Sequence, residues 1–471
     1  MVEIENKNIT IMKVGGSCLT KAESLEHLLE IIELYKSQTI IFVASAFSGV
    51  TDMLLDTASL AANKDDSFKE KLQEVKQLHQ DINKTLFADQ LIHYESTSDF
   101  INTCIRSLEE ILEQICDYGL ETFRSDYVVS FGEKFSTFVM AEFLASKGLD
   151  GFYLPADQLI VTDDRFGNAL PLMDFTKRKI KRQLIPIINR GSMPCITGFI
   201  GLNKQGFVTT LGRGGTDFTA TIVACCLSRI IQDANIKVIL WKNVDGILSA
   251  SPEFVDTPRL LEKLTYGEAK EISHFGAKVL HPKCITPIEK EHIPLEIRNF
   301  DKNIENKFTL IDKVGDDSIM LKGFSILKDV ALITARSSSL VAVPGVLAKI
   351  FTILGEKGIN VSFVSQSSSE INTTFCTAEK DGNKAVDLLQ GAFTEWFDFS
   401  CNEDIVVLGV IGAVNKPSVK DQIFKTCDDN DIEVLAIAQS ADSLNISIVI
   451  NEGVAHKAIK AIHDCFDSCF A

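Results

Sequence analysis

The sequence predicts an α/β fold: a central, mostly parallel sheet flanked by helices, followed by two smaller ferredoxin-like modules. Three observations carry this. Short apolar, β-branched runs alternate with helical segments over the first 300 residues. Glycine turns follow several of the runs, as at Gly15-Gly16 and at Gly212 to Gly215. Beyond residue 320 a strand–helix–strand–strand–helix pattern occurs twice.

Ile9 to Val14 is an apolar strand broken by Gly15-Gly16-Ser17, and Ser24 to Tyr35 has helical periodicity. Thr39 to Ala46 (TIIFVASA) is a continuous apolar run, the mark of a strand buried in a parallel sheet. Residues 52–124 hold few glycines or prolines and read as helix. Asp126 to Ser130 reads as a strand, and Glu133 to Lys147 as a helix after a glycine turn. Pro186 to Gly198, Phe207 to Leu211 and Lys237 to Trp241 give further strands. The polar stretch 301–320 reads as a linker. Pro344, Ile350-Phe351, Gln366-Ser367 and Asn372 then recur 73 positions later as Pro417, Ile423-Phe424, Gln439-Ser440 and Asn445. Each copy lacks one strand of a ferredoxin-like module. Ser318 to Leu327 can supply one, which nests the first copy inside the second. The expected boundaries are 1–300, a linker at 301–320, and modules at 321–400 and 401–471.

A net charge of −17 argues against nucleic acid and anionic membrane as partners. Twelve cysteines form no CxxC pair and eight histidines no HExxH, so no metal site is predicted. The first residues lack a basic segment followed by an apolar core, and no apolar run reaches membrane-spanning length. The expected compartment is a reducing cytoplasm, with the cysteines as small core hydrophobes.

The chemistry concentrates in Thr210 to Ala220 (TLGRGGTDFTA). Its glycines let backbone N–H groups approach a ligand, and the helix start that follows attracts anions. Arg213 can grip a carboxylate or phosphate with two parallel hydrogen bonds, and Asp217 adds a negative charge beside it. Read locally, the same loop also serves as a plain strand–turn–helix connection. Lys13 ends the first strand just before a second glycine turn, where it can neutralise charge on a transferred phosphoryl group. Glu133 either caps a helix or receives an ammonium group. Ser45 and Thr51 follow the second strand, where their hydroxyls orient a substrate carboxylate or close a turn. Gln366 and Gln439 end equivalent strands, and each amide either binds an amino-acid effector or satisfies turn backbone.

Six segments in order, MKVGGS (12–17), SAFSGVTD (45–52), SFGEKFS (130–136), TTLGRGGTDFTA (209–220), WKNVDGI (241–247) and FGAKVLHP (275–282), resemble those of aspartate kinases. That family has the amino-acid kinase fold. The two repeats resemble amino-acid-binding ACT domains, and VSQSSSEINTTF (364–375) and IAQSADSLNIS (437–447) are most similar to the threonine-responsive branch. The resemblance implies ATP- and Mg²⁺-dependent phosphorylation of the β-carboxylate of L-aspartate to 4-phospho-L-aspartate, the first step of lysine, threonine and methionine biosynthesis. It implies that Lys13 stabilises the transferring group and Asp217 organises it. Arg213 would bind the α-carboxylate of aspartate and Glu133 its ammonium, with Ser45 and Thr51 close by. Gly15, Gly16, Ser17, Gly215, Thr216, Lys242, Asn243, Leu248, Lys278 and Val279 fall on the nucleotide side. Gln366, Asn372, Gln439 and Asn445 fall on the effector side, with threonine favoured over lysine, and the ACT domains imply a homodimer or homotetramer. Bifunctional relatives carry a homoserine dehydrogenase after the second ACT domain. The sequence stops at Ala471, so a monofunctional kinase is expected.

The chemistry agrees with this. A carboxylate nucleophile is already ionised at neutral pH and needs no general base. The site must instead bring two anions together, which calls for cations and N–H groups. Three positions depart from the family pattern: Lys242-Asn243 for Thr-Asp, Ser251-Pro252-Glu253 for Asp-Pro-Arg, and Val14 for phenylalanine. The altered 241–243 and 251–253 segments leave open a non-catalytic amino-acid sensor, and the fold also admits a kinase of another amino acid or acidic small molecule.

Overall fold

The computed structural model describes residues 7–18, 22–274, 279–302, 305–337, 345–367, 372–393, 397–439 and 444–467. Its contacts divide the chain into two units. The first comprises Met1–Ile247, Glu262–Tyr266 and Val279–Gly315; the second comprises Leu248–Leu261, Gly267–Lys278 and Asp316–Ala471.

In the first unit, β1 (Asn8–Val14), β2 (Thr39–Ala44), β3 (Gly151–Leu154), β5 (Met193–Thr197), β8 (Asn235–Lys242), β9 (Lys263–Thr265), β10 (Leu295–Asn299) and β11 (Thr309–Asp312) form one sheet. Its order is β3-β5-β2-β1-β8-β10-β11-β9, and only β10 and β11 pair antiparallel. β4 (Val161–Thr162), β6 (Ile200–Asn203) and β7 (Val208–Thr210) make a small second sheet. β1 is central because six of its seven residues are buried and it is flanked on both sides by parallel strands. The helices are α1 (Ala22–Leu34), α2 (Val50–Ala62), α3 (Ser67–Phe87), α4 (Leu91–Tyr118), α5 (Thr122–Ser146), α6 (Met173–Asn189), α7 (Gly215–Ser228) and α9 (Ile285–Glu289). α2 to α5 share a core with the sheet through Leu54, Leu112, Phe135, Phe42 and Trp241. In α7 every residue from Gly215 to Leu227 is buried, so no polar face marks it as a surface helix.

Three expectations are corrected here. Asp126 to Ser130 is not a strand but part of α5, which runs unbroken through Gly132. A helix buried on nearly all sides has a continuous apolar run like that of a buried strand, so periodicity fails to separate them. Gly132 makes no turn: a Cβ there would lie 2.8 Å from the Ala46 Cβ, so the glycine marks a close approach. Pro186 lies in the last turn of α6, and the strand after it begins only at Met193. The stretch 301–320 is not all linker, since β11 within it joins the main sheet.

The second unit contains α8 (Tyr266–His274) beyond its first residue, and a six-stranded antiparallel sheet. The sheet comprises β12 (Leu321–Ser337), β13 (Phe363–Gln366), β14 (Asn372–Ala378), β15 (Phe397–Gly412), β16 (Ala436–Gln439) and β17 (Asn445–Asn451). Its order is β13-β14-β12-β15-β17-β16. β12 and β15 are long and shared. Leu321 to Leu327 pairs with Val407 to Gly412, whereas Val330 to Arg336 pairs with β14 and the first half of β15. Register shifts between Leu327, Val330 and Leu332 separate the halves. α10 (Val346–Glu356) and α11 (Gly382–Ala392) pack on the first half through Ile350, Leu354 and Leu389. α12 (Pro417–Asp429) and α13 (Ala455–Asp467) pack on the other through Ile423, Ile459 and Ile462, joined by Phe254 and Val255.

Gly132→Ala tests the α5 contact. Alanine gains about 1 kcal/mol of helix propensity. Overlap with Ala46 costs about 1–3 kcal/mol. The variant is expected to unfold a few degrees below the parent in a thermal melt, and a raised midpoint would contradict the close approach.

Candidate active site

β5, β2, β1 and β8 are adjacent and parallel, so their carboxyl ends lie along one edge of the main sheet. Ligands in open α/β sheets bind beyond such an edge. The turns leaving these strands are tightly packed. A Cβ on Gly16 would lie 2.4 Å from the Ala46 carbonyl oxygen, and one on Gly198 would lie 2.2 Å from Cγ2 of Thr216. Gly16 therefore seats the first turn against the second, and Gly215 and Thr216 start α7 against the turn after β5. Gly212 and Gly214 take φ of +74° and +73°, a conformation that favours glycine.

Lys13 and Lys242 end neighbouring strands, and both reach Asp217 in the first turn of α7. Lys13 Nζ lies 3.0 Å from Asp217 Oδ1, and Lys242 Nζ lies 2.6 Å from Oδ2. All three side chains are largely enclosed, with exposures of 8%, 16% and 6% for Lys13, Lys242 and Asp217. Burial opposes the charge on Asp217, but the two ammonium groups outweigh it and hold the carboxyl below its ordinary range. Burial lowers the pKa of Lys242, assisted by repulsion from Lys13 and opposed by Asp217.

Glu133 sits in the middle of α5, not at a helix start, so it caps nothing. Burial pushes its carboxyl up to about 8, against an Ala46 amide hydrogen bond and the charge of Lys13. Its Oε2 is buried and has no hydrogen-bond partner among the described residues. Such an atom costs free energy unless a donor arrives. Ser45 follows β2, half-buried, with its carbonyl accepting from the Ser136 hydroxyl at 2.6 Å. Thr51 is the second residue of α2. Arg213 is exposed and makes no ion pair among the described residues.

Asp126 was not among the residues singled out from the sequence. Its Oδ2 accepts from the backbone amides of Gly167 and Thr210, each at 2.8 Å, and its Oδ1 from the Thr210 hydroxyl at 2.9 Å. Burial raises its pKa, and these three hydrogen bonds lower it. Asp126 and Glu133 lie two turns apart on one face of α5. One face thus fixes the strand leading into the Arg213 loop and carries a carboxyl group with one oxygen unpartnered among the described residues. The seven-residue spacing would have exposed the pair had this segment been read as a helix.

The remaining predicted residues fall as follows. Asn243 is exposed just after β8, and Val279 is half-buried. Leu248 forms an isolated bridge with Leu260 and belongs to the second unit. Lys278 lies outside the described residues, as do Pro344, 368–371 and Ser440; of Ser17 only the backbone is described. Gln366, Asn372 and Gln439 are exposed at the ends of β13, β14 and β16. Asn445 is buried, and its Nδ2 donates to Glu271 Oε2 at 2.8 Å, so the two copies differ at this position. Among the described residues no group of three or more His, Cys, Asp or Glu is placed to hold a metal.

Residues 8–299 match the amino acid kinase family, and residues 333–393 and 407–466 match the ACT domain. Aspartokinase 1, chloroplastic, of Arabidopsis thaliana is 30% identical over 480 residues, covering 99% of this chain and 82% of that protein. The bifunctional aspartokinase/homoserine dehydrogenase 2 of the same plant is 30% identical over 476 residues. That match covers 97% of this chain but 50% of the relative, so the chain spans about half the length of such bifunctional relatives. E. coli aspartokinase III in complex with aspartate and ADP has the same fold, with a TM-score of 0.81 at 24% identity over 97% of this chain and 99% of that one. Its complex with lysine and aspartate superposes with a TM-score of 0.74 at 23% identity, over the same shares of the two chains. The chain belongs to the amino acid kinase family, among the aspartokinases that carry two ACT domains.

Proposed function

We propose that the chain transfers the terminal phosphoryl group of ATP to the β-carboxylate of L-aspartate. The observation that carries this is the gathering, in one unit, of a buried cationic pair around Asp217, the buried Glu133 carboxyl, whose Oε2 has no partner among the described residues, and the exposed Arg213 guanidinium. Arg213 binds the α-carboxylate in a bidentate pair, and Glu133 accepts from the ammonium. Ser45 and Thr51 orient the amino acid. A β-carboxylate oxygen then forms a bond to the γ-phosphorus, and the bond from that phosphorus to the bridging oxygen breaks. The electron pair leaves with ADP, and no proton moves. Lys13 offsets charge on the phosphoryl oxygens, and Asp217 holds its ammonium in place. Gly15, Gly16, Ser17, Gly215 and Thr216 offer backbone amides to the phosphates, while Asn243 and Val279 complete the nucleotide side. Both oxygens of Asp217 are engaged by lysines, so magnesium enters as part of the MgATP substrate.

The second unit senses an amino acid in this reading. The first ACT domain is nested in the second, sharing β12 and β15 with it. Gln366 with Asn372, and Gln439 with Asn445, are the effector positions of the two copies in this reading. E. coli aspartokinase III was crystallised with lysine; for this chain we favour threonine on its repeat motifs, and a homodimer or homotetramer through the ACT domains. The described cysteines form no disulfide, which suits a reducing compartment such as the cytoplasm.

A coupled assay of ADP release tests the reaction. Turnover is expected with L-aspartate, and its absence, or equal turnover without acceptor, overturns the reading. Arg213→Ala is expected to raise the KM for aspartate roughly 10- to 100-fold, the worth of a charge-assisted pair. An unchanged KM would remove Arg213 from the site.

Glu133 gives the site a pH dependence with a definite sign. The free carboxyl, with its pKa near 8, is protonated at neutral pH, whereas the complex needs it ionised. Affinity for aspartate should therefore rise between pH 6 and 8, and binding near pH 7 should release a proton. Calorimetry in buffers of different ionisation enthalpy measures that proton. Glu133→Gln should abolish the release, and a parent protein that releases none would contradict the assignment.

A further inference from the structure

Lys242 ends β8 beside β1, in the register that sets Lys13 opposite Leu240 and Val14 opposite Trp241. It reaches the carboxylate oxygen of Asp217 that Lys13 does not. One lysine suffices to balance one buried aspartate. A second ammonium, 16% exposed and close enough to Lys13 to be repelled by it, is costly as a purely structural feature. One carboxylate against two ammonium groups leaves the cluster with a surplus positive charge, which an entering anion would stabilise. An ammonium group has three donors, and Asp217 engages one on Lys242 at 2.6 Å.

We propose that Lys242 is a catalytic cation of the phosphoryl transfer, keeping one donor on Asp217 and turning the others to the terminal phosphoryl oxygens of the bound nucleoside triphosphate. This rests on the reading of the site as a phosphotransferase centre. Lys242 retains its protons throughout. The bond from the acceptor carboxylate to phosphorus forms, the bond to the bridging oxygen breaks, and Lys242 and Lys13 share the charge on the oxygens between them. Asp217 serves as the common anchor of both lysines.

The test compares Lys242→Met and Lys242→Arg with the parent full-length chain. The readouts are dissociation constants for ADP and for a non-hydrolysable ATP analogue, together with kcat and the KM for aspartate. Lys242→Met should weaken the analogue about tenfold or more while ADP stays within about twofold, because only the analogue carries the terminal phosphate. Its kcat should fall by roughly 10²- to 10³-fold, the usual loss for one electrostatic contact to a transition state. The KM for aspartate should hold, and Lys242→Arg, which keeps the charge, should recover part of the loss. Equal weakening of analogue and ADP, or no weakening of either, would overturn the role of Lys242. Intact ADP binding by Lys242→Met excludes misfolding as the cause. Failure of the parent to turn over aspartate would sink the functional reading instead, while the ratio of analogue to ADP affinity still reports whether Lys242 addresses the terminal phosphate.

Discussion

Asp217 is buried between two ammonium groups, and much of the first unit is arranged around that constraint. A carboxylate taken out of water is unstable unless it is paired. Here the pairing joins three elements: the start of α7 supplies Asp217, and the ends of β1 and β8 supply Lys13 and Lys242. The arrangement requires the strand ends and the helix start to approach closely. Gly198 lets the turn after β5 rest on Thr216, and Gly16 lets the first turn rest on the Ala46 carbonyl. The first-turn position also favours Asp217, because the amino end of a helix attracts negative charge. What remains is a largely buried cluster of two ammonium groups and one carboxylate.

The amino-acid side depends on a different element. α5 is buried along most of its length, and one face carries both Asp126 and Glu133. Asp126 is satisfied by three hydrogen bonds that hold the strand entering the Arg213 loop, whereas Glu133 keeps one oxygen without a partner among the described residues. The same helix therefore anchors the strand that leads into the Arg213 loop and carries Glu133. In the proposed function these two charges, opposite in sign, select a zwitterionic substrate. In the same proposal the lysine cluster faces the polyphosphate of the second substrate.

The alternating runs of β1, β2 and β8 and the 73-residue repeat were legible because continuous apolar strands and internal periodicity survive in sequence. Lys13 and Asp217, which the structure brings into one ion pair, stood out in the sequence because glycines crowd around them. α5 was misread because a helix buried on most sides has no polar face to set its period, and Gly132 was mistaken for a turn when it serves a close approach. That misreading hid Asp126, whose role appears only with its distant partners Gly167 and Thr210. The ion pair of Lys242 was invisible for the same reason: Asp217 lies 25 residues away in sequence. Nor did repeat symmetry foretell that Asn445 bonds Glu271 while Asn372 is exposed.

The central claim is that the two charged faces of this site meet at a single reacting carboxylate. An acyl phosphate formed there reacts with hydroxylamine, so trapping reads the product directly. Incubation with ATP, magnesium, L-aspartate and hydroxylamine is predicted to yield aspartate β-hydroxamate and ADP in equal amounts. ADP formed without hydroxamate, or at the same rate without aspartate, would contradict the account.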